Sequence, residues 1–400
     1  MIVEDSSTFW IGLDDTDERE YGCTTYDFNH LLLTLQDSGF SVISSRLVRL
    51  WPFAPQRTRG NAALSASIRC TDSSLLEDAL NEWFLSKYGG LESRDSKHSA
   101  QPTLLLTNNQ LPEDMYWETV RNHVELDERI DALSIIEHRM WHTEAGCMGL
   151  IGASAAIAWK GTRDWTWECT AWRQKTGPRD VAAKFVEEMA SKFPGTILNR
   201  DPTAKRSLIA PRTPCPVLYG IRGEEEEDVL QAHFYLQKLP VEKSISHRAY
   251  RTNQATDDHL QSTVKSVVER TVIRQGGHVE IYAEEKMICF SQGGPVNQLA
   301  QSLVAGDEIE WCGIADEEGT FHIEKLRLIS GRRNQKRPRC GCGTRYKSKG
   351  KNQRLKCPKC GSTAENEWEM ESIESAWLEP PISSMRHLSK PLGRIGKSED

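Results

Sequence analysis

The sequence predicts a multidomain protein of α/β and α+β folds followed by a β-barrel and a small cysteine-built module. Three observations carry this. Over the first 140 residues, β-branched runs alternate with helically spaced apolar runs, as α/β sheets require. After residue 262 the pattern changes to short β runs separated by Gly or Asp. Four of the 11 cysteines then cluster between residues 340 and 360. A length of 400 residues leaves room for two to four domains at roughly 100–200 residues each, and 38% hydrophobic content allows each a core.

The elements follow in order. "STFWIGLDD" is β-rich, and "TYDFNHLLLTLQDSGF" places Phe28, Leu31, Leu32 and Leu35 at helical spacing before Gly39. "SVISSRLVRLW" completes a strand–helix–strand unit; "SSLLEDALNEWFLSKYGG" and "PEDMYWETVRNHVEL" read as helices flanking the strand "PTLLLT". These define a first domain over residues 8–140. A second, over 141–259, contains the small-residue helix of "AGCMGLIGASAAIAW", the strand "WTWECTAWR", a helix in "RDVAAKFVEEMASKF", the strand "PVLYGIRG" and a helix in "EEEDVLQAHFYLQ", an order that suggests a ferredoxin-like α+β sandwich. Residues 262–331 read as an all-β barrel such as an OB-fold. Residues 336–366 form the cysteine module, and 367–400 a polar tail with Pro380, Pro381 and Pro391.

The start, "MIVEDSSTFW", is acidic, and nowhere do about 18 apolar residues run together, so a cytoplasmic location is expected. Seven cysteines (Cys23, Cys70, Cys147, Cys169, Cys215, Cys289, Cys312) stand singly among apolar or small neighbours, as reduced thiols do. The net charge is −7, yet residues 331–361 carry 12 Lys or Arg and no Asp or Glu. An acidic body with one basic module suggests a polyanion held at one end.

Cys340, Cys342, Cys357 and Cys360 have the form C-x-C…C-x-x-C. Four thiolates closing on Zn²⁺ would fold a segment too small for its own core. The first pair is one residue shorter than the usual spacing. A zinc ribbon in a basic stretch beside a barrel points to nucleic acid, with phosphate contacts from Arg332, Arg333, Arg337, Arg339, Lys347, Lys349, Lys351 and Arg354. The tail segment around Arg386, His387 and Lys390 extends this set. A solvated basic linker is the plainer alternative.

Asp14, Asp15 and Asp17 crowd the end of the first strand, where hard oxygen ligands suit Mg²⁺, and the helix that follows offers free N–H groups and a positive dipole end for the phosphates of ATP. Thr24 sits near the N-cap, with Thr25 beside it. An acidic surface turn with an ordinary threonine cap is the alternative. A phosphatase motif D-x-D-x-[TV] fails, because reading from Asp15 puts Arg19 last, and no Walker loop is present. Arg57 and Arg59 in "RTRGNAAL", and Arg222 in "PVLYGIRGE", would suit phosphate. The glycines of "GCMGLIGASAA" allow either ligand approach or close packing. Trp159, Trp165, Trp167 and Trp172 read mostly as core.

"GLDDTD…CTTY", "RTRGNAA", "GLIGASAAI", "PVLYGIRGE", "RTNQATDDHL", the terminal ribbon and "EPP…RHLSKPL" together resemble the archaeal tRNA(Ile2) 2-agmatinylcytidine synthetase family over nearly the whole chain. That resemblance implies a kinase-like domain, a ferredoxin-like domain, an OB-fold and a zinc ribbon in succession. It implies ATP, Mg²⁺ and Zn²⁺ as cofactors. The substrates implied are agmatine and the isoleucine tRNA with a CAU anticodon. The C2 oxygen of the wobble cytidine would be phosphorylated and then displaced by agmatine. By the same match Thr24 would be the autophosphorylated threonine, and Asp14, Asp15 and Asp17 the catalytic carboxylates. From the residues alone, a non-catalytic RNA-binding protein or an RNA-modifying ligase using another amine remains open.

Overall fold

The computed structural model describes residues 7–18, 22–55, 57, 60–89, 100–175, 177–350, 353–367 and 369–396, with 332–336 and 369–372 in backbone alone. The chain divides into two compact units, Met1–Gln261 with Pro381–Asp400, and Ser262–Pro380.

The first unit is built on one mixed sheet. Its elements are β1 (Ser7–Asp14), α1 (Thr24–Asp37), β2 (Ser41–Arg49), β3 (Ala62–Cys70), α2 (Ser73–Tyr88), β4 (Thr103–Thr107), α3 (Asp114–Arg121), α4 (Leu126–Leu133) and β5 (His138–His142). There follow α5 (Gly149–Ala158), β6 (Thr166–Trp172), α6 (Ala183–Lys192), the short hairpin β7 (Arg200–Asp201) and β8 (Arg206–Ser207), β9 (Val217–Gly223), α7 (Glu226–Leu236) and β10 (Ser246–Thr252). The strand order is β5-β4-β1-β3-β2-β10-β6-β9. Every pairing is antiparallel except β2 with β10, which joins the two halves.

Helical spacing in α1 delivers Phe28, Leu31, Leu32 and Leu35 to full burial against β1, β2, β3 and α2, each side chain contributing about 1.5–3 kcal/mol. The other face carries α3, α4 and α5 over Val48, Ala63 and Leu105, while α6 and α7 cover β6 and β9.

The structure corrects several expectations. "PEDMYWETVRNHVEL" is not one helix: Asn122 is extended (φ −139°, ψ 167°), so α3 ends there and α4 starts afresh. The edge strand β5 and the joining strand β10 had no expectation attached, because "HRMWH" and "SHRAYRT" mix charge with aromatics instead of alternating cleanly. The 140/141 boundary falls inside β5. Helix α5, placed at the head of the second domain, packs on β1, β3 and β4. Its small residues permit this: a Cβ on Gly12 would lie 2.4 Å from the Ala153 carbonyl oxygen.

The tail also differs from a separate polar segment. Its last described stretch is stitched to the loop after β10, where the Ala255 N–H donates to the His387 carbonyl (2.9 Å) and the Asp257 N–H to that of Leu388 (2.8 Å). Arg394 is buried and pairs with Asp164 at 2.7 Å and Glu224 at 2.8 Å.

The second unit holds β11 (Val264–Val267), β12 (Arg270–Ile273), β13 (Val279–Tyr282), β14 (Lys286–Cys289), α8 (Pro295–Ser302), β15 (Glu308–Ala315) and β16 (Phe321–Lys336). Beyond these come β17 (Leu355–Lys356), β18 (Thr363–Ala364) and β19 (Glu369–Ile373). The order is β11-β15-β16-β14-β13-β12, with β14 and β16 parallel and β19 paired to β16. Helix α8 is an addition to the all-β reading; Val296 and Ala300 tuck it against Val279, Met287 and Leu326. No helix among the described residues is long and apolar enough to cross a membrane.

Candidate active site

The acidic loop at the end of β1 lines a cavity with Trp51, Arg57, Asn61, His123, Met148 and Gly152. Burial, then the charges of Asp15 and Asp17, hold the Asp14 carboxyl well above its ordinary range. Burial followed by Asp17 and Glu18 raises Asp15 to about 7, against the Gln101 N–H that donates to it at 3.0 Å. A raised carboxyl holds its proton more tightly, so a cation must displace that proton to bind; carboxylate oxygens are the hard donors that Mg²⁺ takes. Asp15 has a left-handed φ of 58° and Asn61 one of 43°; such strain persists where surrounding structure imposes it.

The "GLIGA" glycines resolve into a packing role with a consequence for the site. A Cβ on Gly149 would lie 2.6 Å from the Asp14 carbonyl oxygen, and one on Gly152 only 1.8 Å from Asp14 Oδ2. Glycine at these places lets α5 settle on the loop and Asp14 lean against the helix.

Helix α1 begins at Thr24 with Cys23 as an N-cap that makes no side-chain cap bond. Thr24 Oγ1 is buried and donates to Asp17 Oδ1 at 3.1 Å. From behind, Asp27 accepts from Thr16 at 3.0 Å and from Tyr88 at 3.1 Å, and pairs with Lys87 at 2.8 Å, clamping the loop to the helix. Thr25 Oγ1 accepts from the Trp172 indole at 3.2 Å.

Asp17, Asn61 and Ala62 are shared with a second cavity of about 520 Å³, which also takes in Cys23, Thr24 and Thr25. Its character is cationic: Arg49, Arg206, Arg212 and Arg222 line it, with Glu168 and His387. Burial pulls the Arg49 and Arg222 guanidinium groups below their usual range. Glu168 stands 3.8 Å from Arg49, accepts from Thr170 at 3.0 Å and receives the Gln254 amide. The carboxylate-rich cavity and the guanidinium-rich one meet at Asp17, which accepts from the Thr24 hydroxyl on the guanidinium side.

Of the phosphate-binding candidates, Arg222 is on β9 facing the second cavity and Arg57 is exposed at the first; Arg59 lies outside the described residues. Sequence reasoning passed over Arg49 and Glu168, and set His387 in the basic tail with Arg386 and Lys390 rather than in this cavity. Arg49 ends a β-branched run and Glu168 interrupts one, and a charge inside a buried strand was the available signal. Trp159 and Trp172 are core, Trp167 is partly buried, and Trp165 is exposed under the Arg251 guanidinium at 4.0 Å.

The four clustered cysteines meet. Their sulfurs lie within 4.8 Å of one another, with Cys340 to Cys360 at 3.3 Å and Cys342 to Cys357 at 3.5 Å. The Cys342 N–H, then the Ser362 hydroxyl, pull the Cys340 thiol down to about 5. Four sulfurs this close suit tetrahedral Zn²⁺. Around it Lys347 and Lys349 are exposed, Arg339 donates to the Gly343 carbonyl at 3.0 Å, Arg337 is half-buried and Arg354 pairs with Glu365. Arg332 and Arg333 are described in backbone alone, and Lys351 lies outside the described residues. In the first unit Arg386 stacks over Phe53 at 4.8 Å, and Lys390 is held by Asp164 at 2.9 Å.

Fold and site define a multidomain α/β protein with a cleft lined by carboxylates and guanidinium groups and a four-cysteine cluster of the metal-site type. Residues 10–76 match the TiaS TCKD domain, 148–259 the TiaS FLD domain and 337–374 the TiaS C-terminal zinc ribbon domain. The tRNA(Ile2) 2-agmatinylcytidine synthetase of Methanosarcina acetivorans is 32% identical over 96% of this chain and 97% of its own length. The chain belongs to the tRNA(Ile2) 2-agmatinylcytidine synthetase family. Among solved structures, the TiaS–tRNA(Ile2)–ATP complex superposes with a TM-score of 0.77 at 29% identity, covering 98% of both chains. The TiaS–tRNA(Ile2)–AMPCPP–agmatine complex does so at 0.75 and 27%, again over 98% of each.

Proposed function

We propose that this protein joins agmatine to C2 of the wobble cytidine in the CAU-anticodon isoleucine tRNA, using ATP to phosphorylate the C2 oxygen so that it can leave as phosphate. The observation that carries the reading is the Thr24 hydroxyl, bonded to Asp17 at the meeting of the acidic and cationic cavities. Family membership over almost the whole length supports the same reaction. A tRNA substrate puts the work in the cytoplasm.

Asp14, Asp15 and Asp17 would hold Mg²⁺, which when bound neutralises phosphate charge and aligns the transferring group. Asp17 is placed to accept the Thr24 proton when that hydroxyl takes a phosphoryl group. The first N–H groups of α1, with Thr25, face the same space and favour anionic oxygen. Arg57, Arg59 and Arg222 supply further charge for phosphate, so positioning and electrostatics do most of the work.

The halves of the first unit correspond in this reading to the kinase-like domain, residues 8–140, and the ferredoxin-like domain, 141–259. The second unit supports an OB-fold over 262–331: a five-strand Greek-key order with its first strand split into β11 and β12, a parallel β14–β16 contact, and a helix between β14 and β15. With the ribbon over 336–366, whose cysteines would hold Zn²⁺, it supplies tRNA affinity through Arg337, Arg339, Lys347, Lys349 and their neighbours.

The test is transfer of label from agmatine to a CAU-anticodon isoleucine tRNA transcript with ATP and Mg²⁺, beside a transcript carrying uridine at the wobble position. Label on the first alone is expected; label on neither, despite tRNA binding, would overturn the reaction.

A further inference from the structure

Displacement at C2 by an amine requires the incoming nitrogen to shed a proton, and the acidic loop is committed to cation and phosphate. We infer that His387, delivered by the C-terminal strap of residues 381–396, is the base that takes this proton. The inference rests on the proposed reaction and adds a residue to it.

Four observations converge on the imidazole. His387 lines the 520 Å³ cavity that Thr24 also lines. Its tautomer is fixed in two steps: the Gln254 Nε2 donates to the Glu168 carboxylate, which can only accept, so Gln254 Oε1 is turned toward His387 Nδ1, 3.1 Å away. An amide oxygen accepts, so Nδ1 carries the hydrogen and Nε2 keeps its lone pair. Nε2 looks toward Gly60, where an added Cβ would lie 3.4 Å off, and makes no hydrogen bond among the described residues.

The third observation concerns charge. Arg49 from β2, then burial, then Arg222 from β9 hold the ring well below the usual histidine range, so it stands neutral and able to accept. Of the carboxylates lining the cavity, Glu168 from β6 is occupied by Arg49, Gln254 and Thr170. A phosphoryl group seated near the two guanidiniums would offset their charge and raise the basicity of His387 when the leaving group is present. Fourth, the competing groups lining the cavity are engaged: Asp17 accepts from Thr24, and burial pushes the Cys23 thiol up to about 12.

The strap is rigid enough for the task. Besides the backbone bonds at His387 and Leu388, the Lys390 N–H donates to Asp257 at 2.6 Å, and Arg394 is locked by Asp164 and Glu224. The strap's partners Ala255 and Asp257 hold left-handed φ values of 58° and 63°.

The step balances simply. The neutral amine nitrogen bonds to C2, the bond from C2 to the phosphorylated oxygen breaks, and phosphate leaves with that electron pair. The nitrogen's surplus proton passes to His387 Nε2.

The full-length protein with His387→Asn, which keeps an N–H near Gln254 but has no lone-pair nitrogen, tests this. Agmatine transfer should fall about 10²–10³-fold in kcat, with KM for agmatine within about threefold and ATP-dependent phosphorylation of Thr24 or of the tRNA retained. Added imidazole should restore part of the rate in His387→Ala. Native turnover in His387→Asn, or equal loss of the phosphorylation step, overturns the role of His387. No product from the unsubstituted protein overturns the reaction itself, and this role with it.

Discussion

At the residue scale, the site depends on two backbone permissions. Asp15 adopts a left-handed φ, which aspartate tolerates better than most side chains. Gly152 leaves the space that Asp14 Oδ2 fills. Replacing Gly152 with alanine would ordinarily favour the helix by about 1 kcal/mol, yet here the new Cβ would overlap the carboxylate at 1.8 Å. Gly152→Ala is therefore expected to lower ATP-dependent turnover by at least ~100-fold, the cost of about 2.7 kcal/mol in transition-state stabilisation, while its melting temperature moves little. Steady-state kinetics beside thermal unfolding checks this. A turnover near the native rate would mean that Asp14 does not need its present position.

At the element scale, α7 and β10 meet through a histidine pair. His233 is buried, shares a 3.0 Å bond with Tyr219 and stacks on His247 with ring centres 4.2 Å apart. Burial, then the neighbouring His247, lowers His233 to about 4. A histidine depressed in the folded state binds fewer protons there than in the unfolded chain between about pH 4 and 6.5. Its contribution is complete above about pH 6.5 and is lost as pH falls toward 4, amounting to roughly 3 kcal/mol. The native protein should thus lose melting temperature between pH 7 and 5 more steeply than His233→Phe. Parallel slopes would show that this pair does not set the acid sensitivity.

At the scale of the whole molecule, the ribbon and the first unit have separate sources of stability. Cys357 belongs to a metal-type set in Ser262–Pro380, while the cores under α1, α5 and α7 lie in the other unit, Met1–Gln261 with Pro381–Asp400. Cys357→Ser should abolish tRNA binding while leaving ATP binding by the first unit within about twofold. Filter binding for tRNA and calorimetry for nucleotide would separate the two. Unchanged tRNA affinity would remove the ribbon from the interface.

Much of this could be read from local chemistry. The spacing of Phe28, Leu31, Leu32 and Leu35 determined α1, three carboxylates before a helix start marked the acidic loop, and four cysteines announced their cluster, because each signal sits within one short stretch. Alternation also exposed the barrel strands from 264 to 330. Other features had no local signature. Strand β10 pairs in parallel with β2 across some 200 residues and turns two halves into one sheet, which no periodicity encodes. Arg49, Glu168 and Arg222 come from three strands, and His387 from a tail that reads as polar surface; only folding brings them to one cavity. The sequence by itself determined which groups the protein owns and which elements carry them, since side-chain spacing and turn chemistry act over a few residues. The tertiary structure alone decided which charges share a cavity and which base remains uncommitted there, because burial and long-range pairing set those energies.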